Sequence, residues 1–131
     1  MKVLALDYGS ARTGVAVSDP TGTVARPVGV VERASTEAGL ARLAELVRAE
    51  NPERIVVGLP LTLRGDRGEQ AIETERFVEA LRAAVDVPIE SFDERFTTSL
   101  ASQTGSHSSE DARAAAHLLT SYLAWRSSRT S

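Results

Sequence analysis

The chain has 131 residues, 42% of them hydrophobic and 25% charged, with a formal net charge of −3 and no cysteine. That is enough for one domain with a substantial core, and the lack of cysteine removes disulfides, thiolate nucleophiles and zinc–thiolate sites together. No apolar run reaches the length of a membrane span, and the slight acidic excess argues against a surface coated in nucleic acid while leaving room for a local basic groove.

In chain order, the first informative stretch is Lys2 to Asp19. Met1-Lys2 passes straight into a strand-like run without the features of a secretory signal, so the expected location is the cytoplasm. Val3-Leu4-Ala5-Leu6 reads as a strand that halts at Asp7. Gly14 then opens a returning strand, Val15-Ala16-Val17, closed by Ser18-Asp19-Pro20. After turn residues Asp19 to Gly22, Thr23 to Arg33 predicts a third strand, in which Pro27 suits an edge or a bulge.

Ser35 or Thr36 can cap a helix running to about Glu50, with Leu40, Leu43, Ala44 and Val47 on one stripe, and Asn51-Pro52 stops it. Arg54 to Pro60 predicts a buried strand, and Leu61 to Gly68 a loop carrying Arg64, Asp66 and Arg67. Glu69 to Ala84 predicts a second helix, and Val87 to Phe92 a last strand that runs into Asp93-Glu94-Arg95. Phe96 to Ser109, rich in Ser, Thr and Gly, predicts a helical turn and then a loop. A final helix is expected from about Glu110 to Trp125, and a polar, frayed tail from Arg126 to Ser131. Hairpins followed by strand–helix alternation predict one α/β domain over residues 1–125, a mixed sheet with helices on its faces.

Nucleophile-based catalysis has few parts to work with. Neither G-x-S-x-G nor a Walker A loop is present, and His107 and His117 lack metal-motif spacing, which leaves them as surface or packing residues. The Gly9 to Gly14 segment joins two strands and is no dinucleotide fingerprint. Carboxylates remain: Asp7 at the end of the first strand, Asp93 with Glu94 beside it after the last, and Asp111 at the start of the final helix. With the first strand central and strands four and five parallel to it, Asp7 and Asp93 share the edge where open α/β sheets bind ligands.

Clustered carboxylates repel unless cations lie between them. Oxygen-only ligation suits Mg²⁺ or Mn²⁺, and two such ions about 4 Å apart activate a water and stabilise the leaving oxygen of a phosphodiester. Structural roles compete at each position. Asp7 can accept the amides of the turn Gly9 to Thr13 or pair with Arg12, and Asp93 can pair with Arg95. Asp111 can belong to a helix-start box, Ser108-Ser109-Glu110-Asp111, and Arg64 and Arg67 can be solvated loop charges.

Five stretches together resemble the ordered motifs of the YqgF/RuvX family of the RNase H-like superfamily, over nearly the whole chain. They are Leu6-Asp7-Tyr8-Gly9, Gly14 to Asp19, Val56-Val57-Gly58-Leu59-Pro60, Asp93-Glu94-Arg95-Phe96-Thr97-Thr98, and the helix Asp111 to Leu123 ending Ser121-Tyr122-Leu123. The resemblance implies a five-stranded mixed sheet of order 3-2-1-4-5 with helices on both faces. It implies a metal-dependent nuclease, described in the family as maturing the 5′ end of pre-16S rRNA during ribosome biogenesis or as resolving Holliday junctions. It places Asp7, Asp93 and Asp111 on the family's acidic positions, as catalytic and metal-binding residues with two Mg²⁺ or Mn²⁺ ions, and Glu94 is an additional candidate ligand.

The chain departs from that family in one respect. Where the family usually carries a run of Lys and Arg, Ser102 to Ser109 is short and lacks both. Either affinity for nucleic acid is weaker, or phosphate contacts rest on Arg12, Arg64, Arg67 and Arg95, with Gly9 as a further substrate-binding residue. Three functions stay open at this point. One is a phosphodiesterase acting on a ribosomal RNA precursor. Another is a four-way DNA junction resolvase, which needs two active sites and so a dimer. The last is a non-catalytic nucleic-acid or nucleotide-binding module, because Asp-x-Gly before a hairpin is also similar to one half of an actin-like ATPase. The expected partner is nucleic acid and not a membrane, with the chain a monomer or weak homodimer and a ribosome-assembly protein as a further partner.

Overall fold

The computed structural model describes residues 1–96 and 107–130. Its sheet is built around Val3–Asp7 (β1), whose residues Val3, Leu4, Ala5 and Leu6 are all fully buried. A run apolar on consecutive positions can be buried on both faces only at the centre of a covered sheet. Arg12–Ser18 (β2) returns antiparallel beside it, and Ala25–Glu32 (β3) pairs antiparallel with β2. On the other side Arg54–Leu59 (β4) lies parallel to β1, and Ile89–Asp93 (β5) parallel to β4. The order is β3-β2-β1-β4-β5, as the resemblance implies.

Strand alternation divides the core into two layers. Leu4, Leu6, Val15 and Val57 pack against Glu37–Glu50 (α1) and Glu69–Ala84 (α2) through Leu43, Val47, Phe77 and Leu81. Val3, Ala5, Ala16 and Val56 face His107–Thr130 (α3) through Ala115, Leu118, Leu119 and Tyr122. Helices therefore cover both faces of the sheet.

Local signals operate as the residues predict. The Thr36 hydroxyl caps α1 by accepting the Gly39 N–H at 3.1 Å, and Asn51 ends that helix in the left-handed region at φ 49°. Pro27 sits on the edge strand β3, opposite Ala16 and next to a register shift between Val15 and Ala16. Two expectations need correcting. The third strand starts at Ala25, because Asp19 takes the Thr23 and Val24 amides into a turn at 2.8 Å each. The final helix starts earlier than Glu110, at His107, and runs past Trp125 to Thr130, so the expected tail is helical. Arg129, one turn beyond Trp125, lies 4.9 Å over its ring and prolongs the helix there.

Thr97, Thr98 and residues 102–106, with the loop expected there, lie outside the described residues. Among the described residues no helix is long and apolar enough to cross a membrane.

Candidate active site

The parallel strands β1, β4 and β5 bring their C-terminal ends to one edge, where Leu59 pairs with Asp93 and Asp7 closes β1. Across the antiparallel ladder Asp7 faces Gly14. A Cβ on Gly14 would stand 1.8 Å from the carbonyl oxygen of Asp111, so the missing side chain is what lets α3 lie directly on β2. This contact sets Asp111 beside Asp7. Burial and then the Asp111 charge push the Asp7 carboxyl up to about 6.

Glu94 follows β5 in a short 3-10 turn, Glu94–Phe96. Its side chain folds over Gly58 of β4, where a Cβ would meet Glu94 Cγ and Oε2 at 2.9 Å. Burial, followed by the charges of Asp7 and Asp93, pushes Glu94 up to about 7. Asp7 and Glu94 line one cleft of about 170 Å³, together with Tyr8, Gly9, Gln70 and Glu73. Among the described residues neither carboxylate takes part in an ion pair. Two half-buried acids facing one cleft without a described cation are an electrostatic arrangement that a hard, oxygen-seeking cation relieves.

The other sequence-derived residues flank this pair. The Arg12 Nε donates to Asp111 Oδ2 at 2.8 Å, so Arg12 pairs with Asp111 and not with Asp7. Asp93 turns to Arg95, which donates from Nε at 2.9 Å and Nη2 at 2.6 Å to its Oδ2, and these contacts hold the Asp93 carboxyl below the ordinary range. Arg95 also reaches the Leu63 carbonyl at 3.4 Å, which ties the loop between β4 and α2 to the sheet edge. On that loop Arg67 pairs with Glu75 of α2, while Arg64 is exposed and makes no ion pair among the described residues. No three described acidic or histidine side chains converge on one point at ligating distance.

Asp111 lies inside α3 and not at its first residue, because the helix begins at His107. Three polar residues of the cleft were not singled out from the sequence. Gln70, Glu73 and Thr74 stand at i, i+3 and i+4 on α2, a spacing that shares one helix face and marks the polar wall of the cleft. Tyr8 closes that wall: its ring stacks on Phe77 at 4.4 Å and its hydroxyl donates to Glu73 at 2.9 Å.

A family model described as "RuvX: Holliday junction resolvase" matches residues 1–125. The chain is 45% identical to a Chloroflexus aggregans protein provisionally named a pre-16S rRNA nuclease, over 77% of this chain and 71% of that protein. It is 35% identical to a protein of the same provisional name from Syntrophomonas wolfei, over 94% of each. Among solved structures, Thermus thermophilus RuvC in complex with a Holliday junction substrate matches over 98% of this chain and 96% of that one. The TM-score is 0.62 at 19% identity, a likeness of fold.

Proposed function

This chain belongs to the RuvX family, and on that premise we propose that it is a divalent-cation-dependent nuclease that hydrolyses phosphodiester bonds at the 5′ end of a 16S rRNA precursor. The observation that carries the proposal is the pairing of Asp7 with Glu94 in one cleft at the C-terminal edge of the parallel strands. All the donors are carboxylate oxygens, the set that Mg²⁺ and Mn²⁺ prefer. When bound, two such ions would supply the acidity that makes water a nucleophile at neutral pH and would stabilise the charge on the leaving oxygen.

The residues of the chain do the rest. Asp7 and Glu94, which line the cleft, would hold such ions, with Asp93 and Asp111 as the further carboxylates of the set. Arg12, Arg95, Arg64 and Arg67 neutralise backbone phosphates. Gly9 lines the cleft as a substrate-binding position, where a Cβ would meet the Arg12 carbonyl oxygen at 2.6 Å, so glycine lets the turn close onto Arg12. Residues 1–125 act as one catalytic domain, in the cytoplasm where the precursor is made.

A second reading, cleavage of four-way DNA junctions, has the description of the family behind it. It requires two copies of the chain on one junction. The test is side-by-side incubation of a labelled precursor-rRNA 5′ fragment and a four-way DNA junction with Mg²⁺, Mn²⁺ or chelator, using wild type and Asp7→Asn. Cation-dependent cutting of the RNA, lost in the variant, is the expected result. Cutting of the junction alone selects the second reading, and cutting retained by Asp7→Asn refutes the site. Nucleic-acid binding without cation binding or cleavage would make the chain a non-catalytic binding module.

A further inference from the structure

Two of the four candidate ligands are held by arginines of the same chain, one on each flank of the cleft. Arg12, the first residue of β2, holds Asp111 at 2.8 Å, with the two side chains 38% and 31% exposed. On the opposite flank Arg95 grips Asp93 through two guanidinium nitrogens, with side chains 35% and 16% exposed. Asp7 and Glu94 line the same cleft, with the Asp111 charge acting on Asp7 and the Asp7 and Asp93 charges acting on Glu94. A cation seated on Asp7 and Glu94 would therefore find its next oxygen donors already engaged by guanidinium groups. Arg12 takes Oδ2 of Asp111, and Arg95 takes both oxygens of Asp93. Each charge-assisted hydrogen bond uses part of the carboxylate's lone-pair capacity and offsets its charge, so the guanidinium competes with a cation for it.

From the placement of these two ion pairs we infer that Arg12 and Arg95 are exchangeable partners of Asp111 and Asp93. They hold these carboxylates while the cleft lacks a cation, yield them when one binds, and then turn to the backbone phosphates of the nucleic acid. The inference rests on the reading of the cleft as a cation site and adds a mechanism to it. Both arginines are partly exposed, on the rim that incoming phosphates would reach, so neither has to cross the core to change partner. The exchange makes cation and nucleic acid mutually reinforcing ligands, because each removes a competitor of the other, and such coupling is reciprocal. It also lets the loop between β4 and α2 respond, since Arg95 holds the Leu63 carbonyl with the guanidinium that grips Asp93.

Calorimetric titration of Mn²⁺ into the full chain tests this without recourse to activity. The variants are wild type, Arg12→Gln, Asp111→Asn and the double substitution, each checked for a cooperative thermal transition. Removing Arg12 is expected to tighten Mn²⁺ about tenfold in the wild-type background and less than about twofold when Asp111 is already Asn. An equal gain in both backgrounds means that Arg12 acts only as a remote positive charge, and it overturns the exchange, as does no gain in either.

A second measurement covers Arg95 in the unaltered chain. Its Nε–H resonance, assigned with Arg95→Lys, is expected to move in step with Mg²⁺ saturation, and an unmoved signal at saturation overturns the inference. Wild type that binds no cation fails both the reading of the cleft and the exchange. Cation binding with unmoved arginines fails the exchange alone.

Discussion

Gly14 and Asp111 are in direct backbone contact, with the position of a Gly14 Cβ lying 1.8 Å from the Asp111 carbonyl oxygen. The contact fixes where α3 crosses β2, and because Gly14 faces Asp7 in the ladder, it fixes the spacing of two candidate ligands. Gly14→Ala forces backbone away from backbone, with no flexible side chain to give. The expected cost is about 2–4 kcal/mol in urea unfolding, with cleavage lost in whatever fraction remains folded.

Gly58→Ala is the informative contrast. Its Cβ meets the Glu94 side chain at 2.9 Å, a flexible end that can swing away. Stability should fall by less than about 1 kcal/mol, while Mn²⁺ affinity measured by calorimetry drops because Glu94 leaves the cleft. Unchanged affinity would remove Glu94 from the ligand set.

The acids set a pH signature in the cation-free protein. Asp7 is pushed up to about 6 and Glu94 to about 7 in the fold, above their ordinary values of 3.8 and 4.5. Groups raised in this way lend stability while protonated, below the unfolded pKa, and lose it as pH climbs through the folded one. Between roughly pH 4 and pH 7.5 wild type should therefore lose stability that Asp7→Asn keeps in part. Unfolding in chelator is expected to show the variant gaining on wild type, by about 1–2 kcal/mol at pH 8 relative to pH 4. A pH-independent difference would contradict the burial of the Asp7 charge.

Tyr8 separates packing from polarity in the cleft wall. Tyr8→Phe keeps the ring and loses the hydroxyl's hydrogen bonds, to Glu73 and to Ser35, and should cost about 1 kcal/mol. Tyr8→Ala also loses the stack on Phe77 and should cost about 2–3 kcal/mol. Thermal unfolding of the pair measures the difference.

Arg64 is the candidate phosphate contact whose removal breaks no described ion pair. Arg64→Gln is expected to weaken nucleic-acid binding and to reduce the slope of log K against log salt by about 1. Fluorescence anisotropy at several salt concentrations reads this directly, and an unchanged slope would leave Arg64 a solvated loop charge.

Much of this molecule can be read along the chain. The consecutive apolar residues of β1 declare a central strand, Thr36 and Asn51 bracket α1, and Pro27 marks an edge. All are local signals, in which a residue acts on backbone within a few positions of itself. Asp7 was also legible, because a carboxylate that ends a buried strand stands out against its neighbours.

What the chain could not reveal is which carboxylate pairs with which. Asp93 and Glu94 are adjacent in sequence, yet one turns out to Arg95 and the other folds in over Gly58 toward Asp7. That choice is made by the space a glycine leaves on a neighbouring strand. Arg12 offered itself to Asp7 by proximity in sequence, but α3 delivers Asp111 to it from the far end of the chain. The extent of α3 is hidden in the sequence for a related reason, since Arg129 over Trp125 holds a segment whose polar composition reads as a tail. The apolar pattern and turn chemistry of the sequence thus determined the elements, their order and the edge at which they end. Only tertiary structure decided the partners at that edge, because close approach depends on residues without side chains and on charges brought together from distant segments.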